Sequence, residues 1–137
     1  MTNGGFDSNI SPWFTTDTQV KWIAEDGQGC STSGSLSFNS AIVYSPCISV
    51  SAGTRYNIGF MAKGSPGCAI DWYSDACSTQ IPQSEFVTPT TTKEWELVDV
   101  SQNAPTGATH AELSCQTDAG PANLDRVYFS ADPNMGF

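Results

Sequence analysis

Any chemistry in this chain has to come from one histidine, fourteen acidic side chains and five cysteines, because little else in its 137 residues is reactive. His110 stands alone, so no nucleophile, base and orienting group can be assembled around a second imidazole, and no histidine metal set exists. Cys30, Cys47, Cys68, Cys77 and Cys115 form no Cys-x-x-Cys pair, which argues against zinc. Neither a Gly-x-Ser-x-Gly elbow nor a glycine-rich phosphate loop occurs. Neighbouring acids do occur, Glu25-Asp26 at a turn and Glu94 and Glu96 on one side of a predicted strand beside Trp95. Paired carboxylates hydrolyse a glycosidic bond at the right separation, but adjacency in sequence supplies no such geometry. The chain therefore reads as a non-enzyme.

What remains is binding, and composition restricts the partner. Five basic residues, Lys21, Arg55, Lys63, Lys93 and Arg126, against fourteen acids leave a net charge of -9. No basic stripe can follow a phosphate backbone, so nucleic acid is excluded as a partner, and anionic membrane surfaces and polymers are disfavoured by repulsion. Neutral partners fit. Only 14% of residues are charged, with serine and threonine in their place, which suits strands and turns better than helix surfaces. The length is that of one domain, residues 1–137. No apolar run reaches the roughly 20 residues of a membrane span, and residues 1–5 lack the basic and apolar regions of a signal peptide. A monomeric domain of a larger secreted, extracellular protein is expected, with two disulfides and one odd thiol. Free buried cysteines are the alternative.

The elements that must position a binding surface are strands of period two, punctuated by Asp26-Gly27, Ser45-Pro46, Ala52-Gly53, residues 63–67, residues 103–107 and Gly120-Pro121. Strands are predicted over residues 4–8, 20–24, 34–39, 48–51, 55–63, 68–74, 94–100, 109–115 and 124–130, with residues 78–92 as a surface loop. Residues 48–58 and 97–113 echo each other as strand, small-residue turn and strand. That suits an all-β, two-sheet antiparallel sandwich whose chain crosses between sheets at each turn. Alternation points Leu36, Phe38, Tyr56, Ile58, Phe60, Ala62, Ile70, Trp72, Ala111, Leu113, Cys115, Val127 and Phe129 inward. If the strands share one sheet, its outer side carries Asn57, Lys63, Asp71, Tyr73, His110, Glu112 and Gln116, hydrogen-bonding groups suited to sugar hydroxyls. A solvated strand face is polar in any case. Tyr44 and Phe86 fall in predicted turns, as further platforms for the C–H face of a sugar ring.

In order along the chain, Asn3-Gly4-Gly5-Phe6-Asp7, Trp13, Ser33-Gly34-Ser35-Leu36, Ala52-Gly53-Thr54-Arg55-Tyr56, Glu94-Trp95, Ala104-Pro105 and Leu124-Asp125-Arg126-Val127 resemble the jelly-roll carbohydrate-binding modules of the cellulase type, families four, nine and twenty-two. The likeness covers nearly the whole chain. It implies a jelly-roll β-sandwich that binds a neutral polysaccharide, a β-glucan, xylan or similar, without catalysis and targets a secreted parent protein to it. The variants it most resembles carry a segment like residues 72–77 and a cysteine like Cys47, so the resemblance suggests a Cys47–Cys77 disulfide. Cys68 and Cys115 either pair or stay buried, leaving Cys30 as the odd thiol. The resemblance also implies a structural calcium joining the chain ends, held by the carboxylates of Asp7 and Asp125 and by carbonyls near Asn3, Gly5 and Ser33. Asp7 stands where glutamate is more usual, and Arg126 where a second aspartate is common. The competing reading is a calcium- and disulfide-stabilised structural or adhesive sandwich of a cell-surface protein that binds no glycan.

Overall fold

A computed structural model describes residues 5–6, 9–15, 20–25, 34–64, 66–83, 86–88, 94–117 and 121–131. Among these residues there is no helix, and the strands form two antiparallel sheets, as the alternation and the resemblance lead one to expect. The strands are β1 (Lys21–Ile23), β2 (Ser35–Asn39), β3 (Ile42–Tyr44), β4 (Ile48–Ser49), β5 (Arg55–Lys63), β6 (Gly67–Tyr73), β7 (Phe86–Val87), β8 (Glu96–Asn103), β9 (His110–Gln116) and β10 (Pro121–Ser130). The first sheet runs β1-β2-β10-β5-β8 and the second β3-β9-β6-β7, with β4 also pairing β9. No helix among the described residues is long and apolar enough to cross a membrane.

β5 has the predicted bounds, and most other predicted strands lie within a few residues of observed ones. Of predicted strand 4–8, Gly5 and Phe6 are described and are not in a strand, while residues 4, 7 and 8 lie outside the described residues. β3 and β7 are additions, β7 falling inside the predicted loop over residues 78–92. One expectation is corrected. The outward polar residues do not share a sheet, because β5 belongs to the first sheet and β6 and β9 to the second. The chain crosses between them at Gly64, which has a φ of +92° and where a Cβ would lie 2.6 Å from the Pro121 carbonyl oxygen.

Every residue that alternation points inward is buried, from Leu36, Phe60 and Leu113 at 0% exposure to Phe129 at 9%. An aromatic group ties the layers together. Tyr56 on β5 stacks on Phe129 of β10 with ring centroids 5.0 Å apart, and Trp72 of β6 packs 6.1 Å from Tyr56 and 6.4 Å from Phe129. The two echoing turns meet: Gly53 N–H donates to the Ala104 carbonyl, and Ala104 N–H to the Thr54 carbonyl, each at 2.9 Å. At the amino-terminal side, the Trp22 indole N–H donates to the Phe6 carbonyl at 2.7 Å. Gly34 makes room for it, since a Cβ there would lie 2.3 Å from Trp22 Nε1.

Both disulfides lie in or beside the second sheet. Cys47–Cys77 forms as the resemblance suggested, closing the segment after β3 onto the segment after β6. Cys68 and Cys115, directly opposed in the β6–β9 register, form the second. Cys30 lies outside the described residues.

Because Trp72 is fully buried and joins β6 to the first sheet through Tyr56 and Phe129, Trp72→Ala is expected to destabilise the domain by about 3–5 kcal/mol. Urea unfolding measures this. A loss under about 1 kcal/mol would show that the layers are held elsewhere.

Candidate functional site

The outward side of the second sheet is built in rows by the β6–β9 register. Tyr73 lies opposite His110, and His110 opposite Ser49 of β4. Asp71 faces Glu112, Ala69 faces Ser114, and Ser114 faces Tyr44 of β3. Gly67 and Ile42 flank Gln116. A sheet side open to water leaves such residues exposed, yet Asp71 is only 9% exposed, Glu112 7% and Tyr73 9%. These polar groups therefore form the floor of a recess.

Each floor carboxylate accepts a side-chain hydrogen bond. The Tyr73 hydroxyl donates to Glu112 Oε1 at 3.3 Å, and the Gln80 side-chain amide donates to Asp71 Oδ1 at 3.2 Å. Gln80 is brought there by a turn that folds back on β6: Tyr73 bridges to Gln80, and Ile81 N–H donates to the Trp72 carbonyl at 2.7 Å. Asp75 organises the turn by accepting from Ser78 N–H and Thr79 N–H, each at 2.8 Å, and these bonds hold its carboxyl below the usual range. The Cys47–Cys77 disulfide fastens the same turn to the segment between β3 and β4.

Burial pushes the Tyr73 phenol up to about 12, reinforced by the charges of Glu112 and then Asp71. It is a neutral donor at any ordinary pH. Burial also raises Glu112 above its ordinary value; the Tyr73 hydrogen bond opposes this and the Asp71 charge adds to it. The rim is aromatic on one side. Phe14 bridges to Tyr44 through paired backbone hydrogen bonds of 2.9 Å, and the two rings stack with centroids 5.3 Å apart and planes 20° apart. Phe14 is 49% exposed and neighbouring Ile42 39%. Acceptors and donors on the floor with an exposed aromatic edge make a surface that can engage both the hydroxyls and the C–H face of a sugar.

Five of the sequence-predicted residues, Asp71, Tyr73, His110, Glu112 and Gln116, meet on this side. Asn57 and Lys63 do not: both lie on β5 in the first sheet, Asn57 accepting from the Ser101 hydroxyl and Lys63 paired with Glu25 at 2.7 Å. Tyr44 is on β3 and not in a turn, and Phe86 begins β7 in register with Ala69. Phe14 and Gln80 were missed. Glu96, considered for a hydrolytic pair, is on β8 of the first sheet, away from the recess. Of the predicted calcium ligands, Asn3, Asp7 and Ser33 lie outside the described residues, whereas Gly5 is half-buried and Asp125 is 2% exposed on β10.

With this geometry, comparison with known proteins becomes informative. A family model described as a carbohydrate binding domain, of carbohydrate-binding-module families 4 and 9, matches residues 1–122. The chain belongs to this family. Members are usually non-catalytic glycan-binding modules. No match was found among curated proteins. Solved structures share the fold: the bacteriophage CBA120 tailspike protein 4 enzymatically active domain has a TM-score of 0.78 at 19% identity, over 95% of this chain and 21% of that one. A family 16 carbohydrate-binding module has a TM-score of 0.72 at 15% identity, over 93% of this chain and 96% of that one. The carbohydrate-binding-module and catalytic portion of Clostridium thermocellum endo-1,4-β-D-xylanase 10B, complexed with xylohexaose, has a TM-score of 0.68 at 16% identity, over 93% of this chain and 27% of that one. This module thus spans about a fifth of the tailspike chain and about a quarter of the xylanase chain.

The raised Glu112 pKa has a direct consequence for stability. The folded state holds this proton more tightly than the unfolded chain, so the stability it contributes is present below the ordinary value of 4.5 and declines as pH rises through the folded pKa. Glu112→Gln removes that decline. Its Tm is expected to exceed that of the unsubstituted protein at pH 7 and to converge on it below pH 4.5. An equal difference at both pH values would show that ionisation of Glu112 is not the cause.

Proposed function

We propose that this module binds a neutral polysaccharide in the recess of the second sheet, does no catalysis there, and brings a larger secreted protein to that polymer. The observation that carries the reading is the nine-tenths burial of Asp71, Tyr73 and Glu112 on the side that alternation assigns to solvent. Buried acceptors need donors, and a polyol supplies them without adding charge to a chain of net charge -9. Membership of a family whose modules are usually non-catalytic supports binding over hydrolysis. β-Linked sugars are the natural first candidates, since structural neighbours include a module complexed with β-1,4-galactotriose and a xylan-binding domain from Paenibacillus barcinonensis. The disulfides Cys47–Cys77 and Cys68–Cys115 suit an oxidising, extracellular setting. The structural or adhesive reading without glycan binding is not favoured.

Affinity gel electrophoresis on β-glucan, xylan, mannan and β-1,4-galactan tests this. Tyr73→Ala, Glu112→Ala and Phe14→Ala are each expected to weaken retardation about tenfold or more, the scale of a lost buried hydrogen bond or aromatic contact. Retardation unchanged in all three variants would place the site elsewhere, and no retardation on any polymer would end the glycan reading.

A structural calcium near the chain ends belongs to the same proposal. Among the described residues no three His, Cys, Asp or Glu side chains cluster; Asp7, the other carboxylate that the resemblance implies, lies outside them. The described carboxylate of the implied donor set suits a hard, oxygen-seeking cation. Asp125 is a nearly fully buried carboxylate, and it follows Leu124, which is in register with Leu36 beside the Gly34–Ser35 segment. Arg126 takes a φ of 51° and its N–H donates to Asp125 Oδ1 at 2.7 Å, orienting the carboxylate. Calcium at about a hundred times its dissociation constant is expected to raise stability by about 2.7 kcal/mol, and Asp125→Asn to abolish the increment. A melting temperature indifferent to both calcium and EDTA would reject the ion.

A further inference from the structure

The outward side of the first sheet carries an aromatic residue that neither the core nor the recess uses. Tyr128 on β10 is in register with Gly59 on β5, and Gly59 with Asp99 on β8. The Tyr128 hydroxyl hydrogen-bonds Asp99, so the side chain reaches across the intervening strand and lies along the sheet instead of standing off it. Gly59 permits this. A Cβ there would sit 2.2 Å from Tyr128 Cε1, 2.4 Å from Cζ and 2.6 Å from the phenol oxygen. Any side chain at residue 59 would lift the ring away.

The surroundings are sorted by chemistry. In the row on one side, Met61 lies opposite Leu97, which is 46% exposed, and on its other edge opposite Asp125, which is 2% exposed. In the row on the other side, Asn57 lies opposite Ser101, whose hydroxyl donates to it, and also opposite Ser130. A half-buried ring laid over a glycine thus has Met61 and Leu97 on one margin with the carboxylate of Asp125 buried beyond them, amide and hydroxyl groups on the other margin, and a carboxylate at its tip. A pyranose has the matching surfaces: a C–H face for the ring and an equatorial rim of hydroxyls for the carboxylate and amide. Asp99 accepts from the Tyr128 hydroxyl and, being exposed, keeps further acceptor sites that an apolar protein face laid over Met61 and Leu97 would leave without donors. Asp99 and the chain's overall charge also oppose an anionic glycan.

We infer that Tyr128, Asp99 and Asn57 form a second glycan site, on the sheet opposite the recess, which takes an uncharged pyranose chain and makes the module bivalent. It does not depend on the recess for its geometry. Its function differs as well: a module with sites on opposite sides can bridge separate polysaccharide chains, which a single recess cannot do.

The test combines calorimetric stoichiometry with backbone amide NMR, using xylohexaose, cellohexaose and β-1,4-galactotriose as probes. The unsubstituted protein is expected to bind about two oligosaccharides per chain. The double variant Tyr73→Ala/Glu112→Ala should keep one, with shifts at the amides of Gly59 and Asp99. In that background Asp99→Ala should weaken the remaining site about tenfold, and Tyr128→Ala should abolish it. Asp99 is exposed, so its substitution decides the matter even if Tyr128→Ala fails to fold. A single equivalent that disappears in the double recess variant, with the Gly59 and Asp99 amides unmoved, overturns the second site and leaves the recess reading intact. Binding that survives in the double recess variant at the Gly59 and Asp99 amides alone, with recess amides unmoved in the unsubstituted protein, supports the second site and overturns the recess.

Discussion

The pairing of β6 with β9 is the constraint on which the rest depends. Its register runs without interruption from Gly67 opposite Gln116 to Tyr73 opposite His110. One side of that pair gives Cys68, Ile70 and Trp72, with Ala111, Leu113 and Cys115, to the core. The other side gives Asp71, Tyr73 and Glu112 to the recess floor. Because side chains alternate, a slip of β6 by one residue would drive Asp71 into the core and Trp72 out of it. The disulfide between the directly opposed Cys68 and Cys115 forbids that slip covalently. The strand positions of the recess floor are therefore inherited from core packing, and the turn carrying Gln80 completes it.

The same pairing creates an electrostatic cost. Like charges directly opposed across antiparallel strands repel, and here both carboxylates have also lost most of their water. The raised Glu112 pKa is the visible consequence, caused first by burial and then by the Asp71 charge, and the Tyr73 hydrogen bond offsets only part of it. Most of the net charge of -9 could have been spread over solvated surface at little cost. Placing two acids together on a buried floor violates the rule the rest of the surface follows, and such violations mark functional positions.

How much was legible follows from what alternation encodes. Period two tells which side of its strand a residue occupies, and it placed the inward residues of β2, β5, β6, β9 and β10 correctly. It does not tell which sheet a strand joins. Asn57 and Lys63 were therefore grouped with Asp71 and Glu112, although the turn at Gly64 sends β6 to the other layer. Short strands fall below the signal. Ile42-Val43-Tyr44 alternates, with Val43 fully buried, but three residues next to Ser45-Pro46 read as a turn. Phe14 had no local signal at all, because its bridge to Tyr44 is made by residues thirty positions apart. The Cys47–Cys77 pairing came from family resemblance, since spacing alone does not fix connectivity.

The contrast between floor and rim has a mechanical meaning. The floor rests on long registered strands, a disulfide and the aromatic core beneath it, so a substitution there is felt throughout the domain. The aromatic rim rests on one isolated bridge between Phe14 and Tyr44, supplemented by the Thr15 hydroxyl donating to the Ile42 carbonyl at 2.7 Å. That bridge also covers the outer edge of β3, which would otherwise present unpaired backbone groups to other chains. Protection of an edge and presentation of an aromatic surface are thus met by the same residues at small structural cost. On the binding reading proposed above, sequence change at positions 14 and 44 would alter which sugar face is stacked while the hydrogen-bonding floor stays fixed, so a change of ligand need not begin with a change of fold.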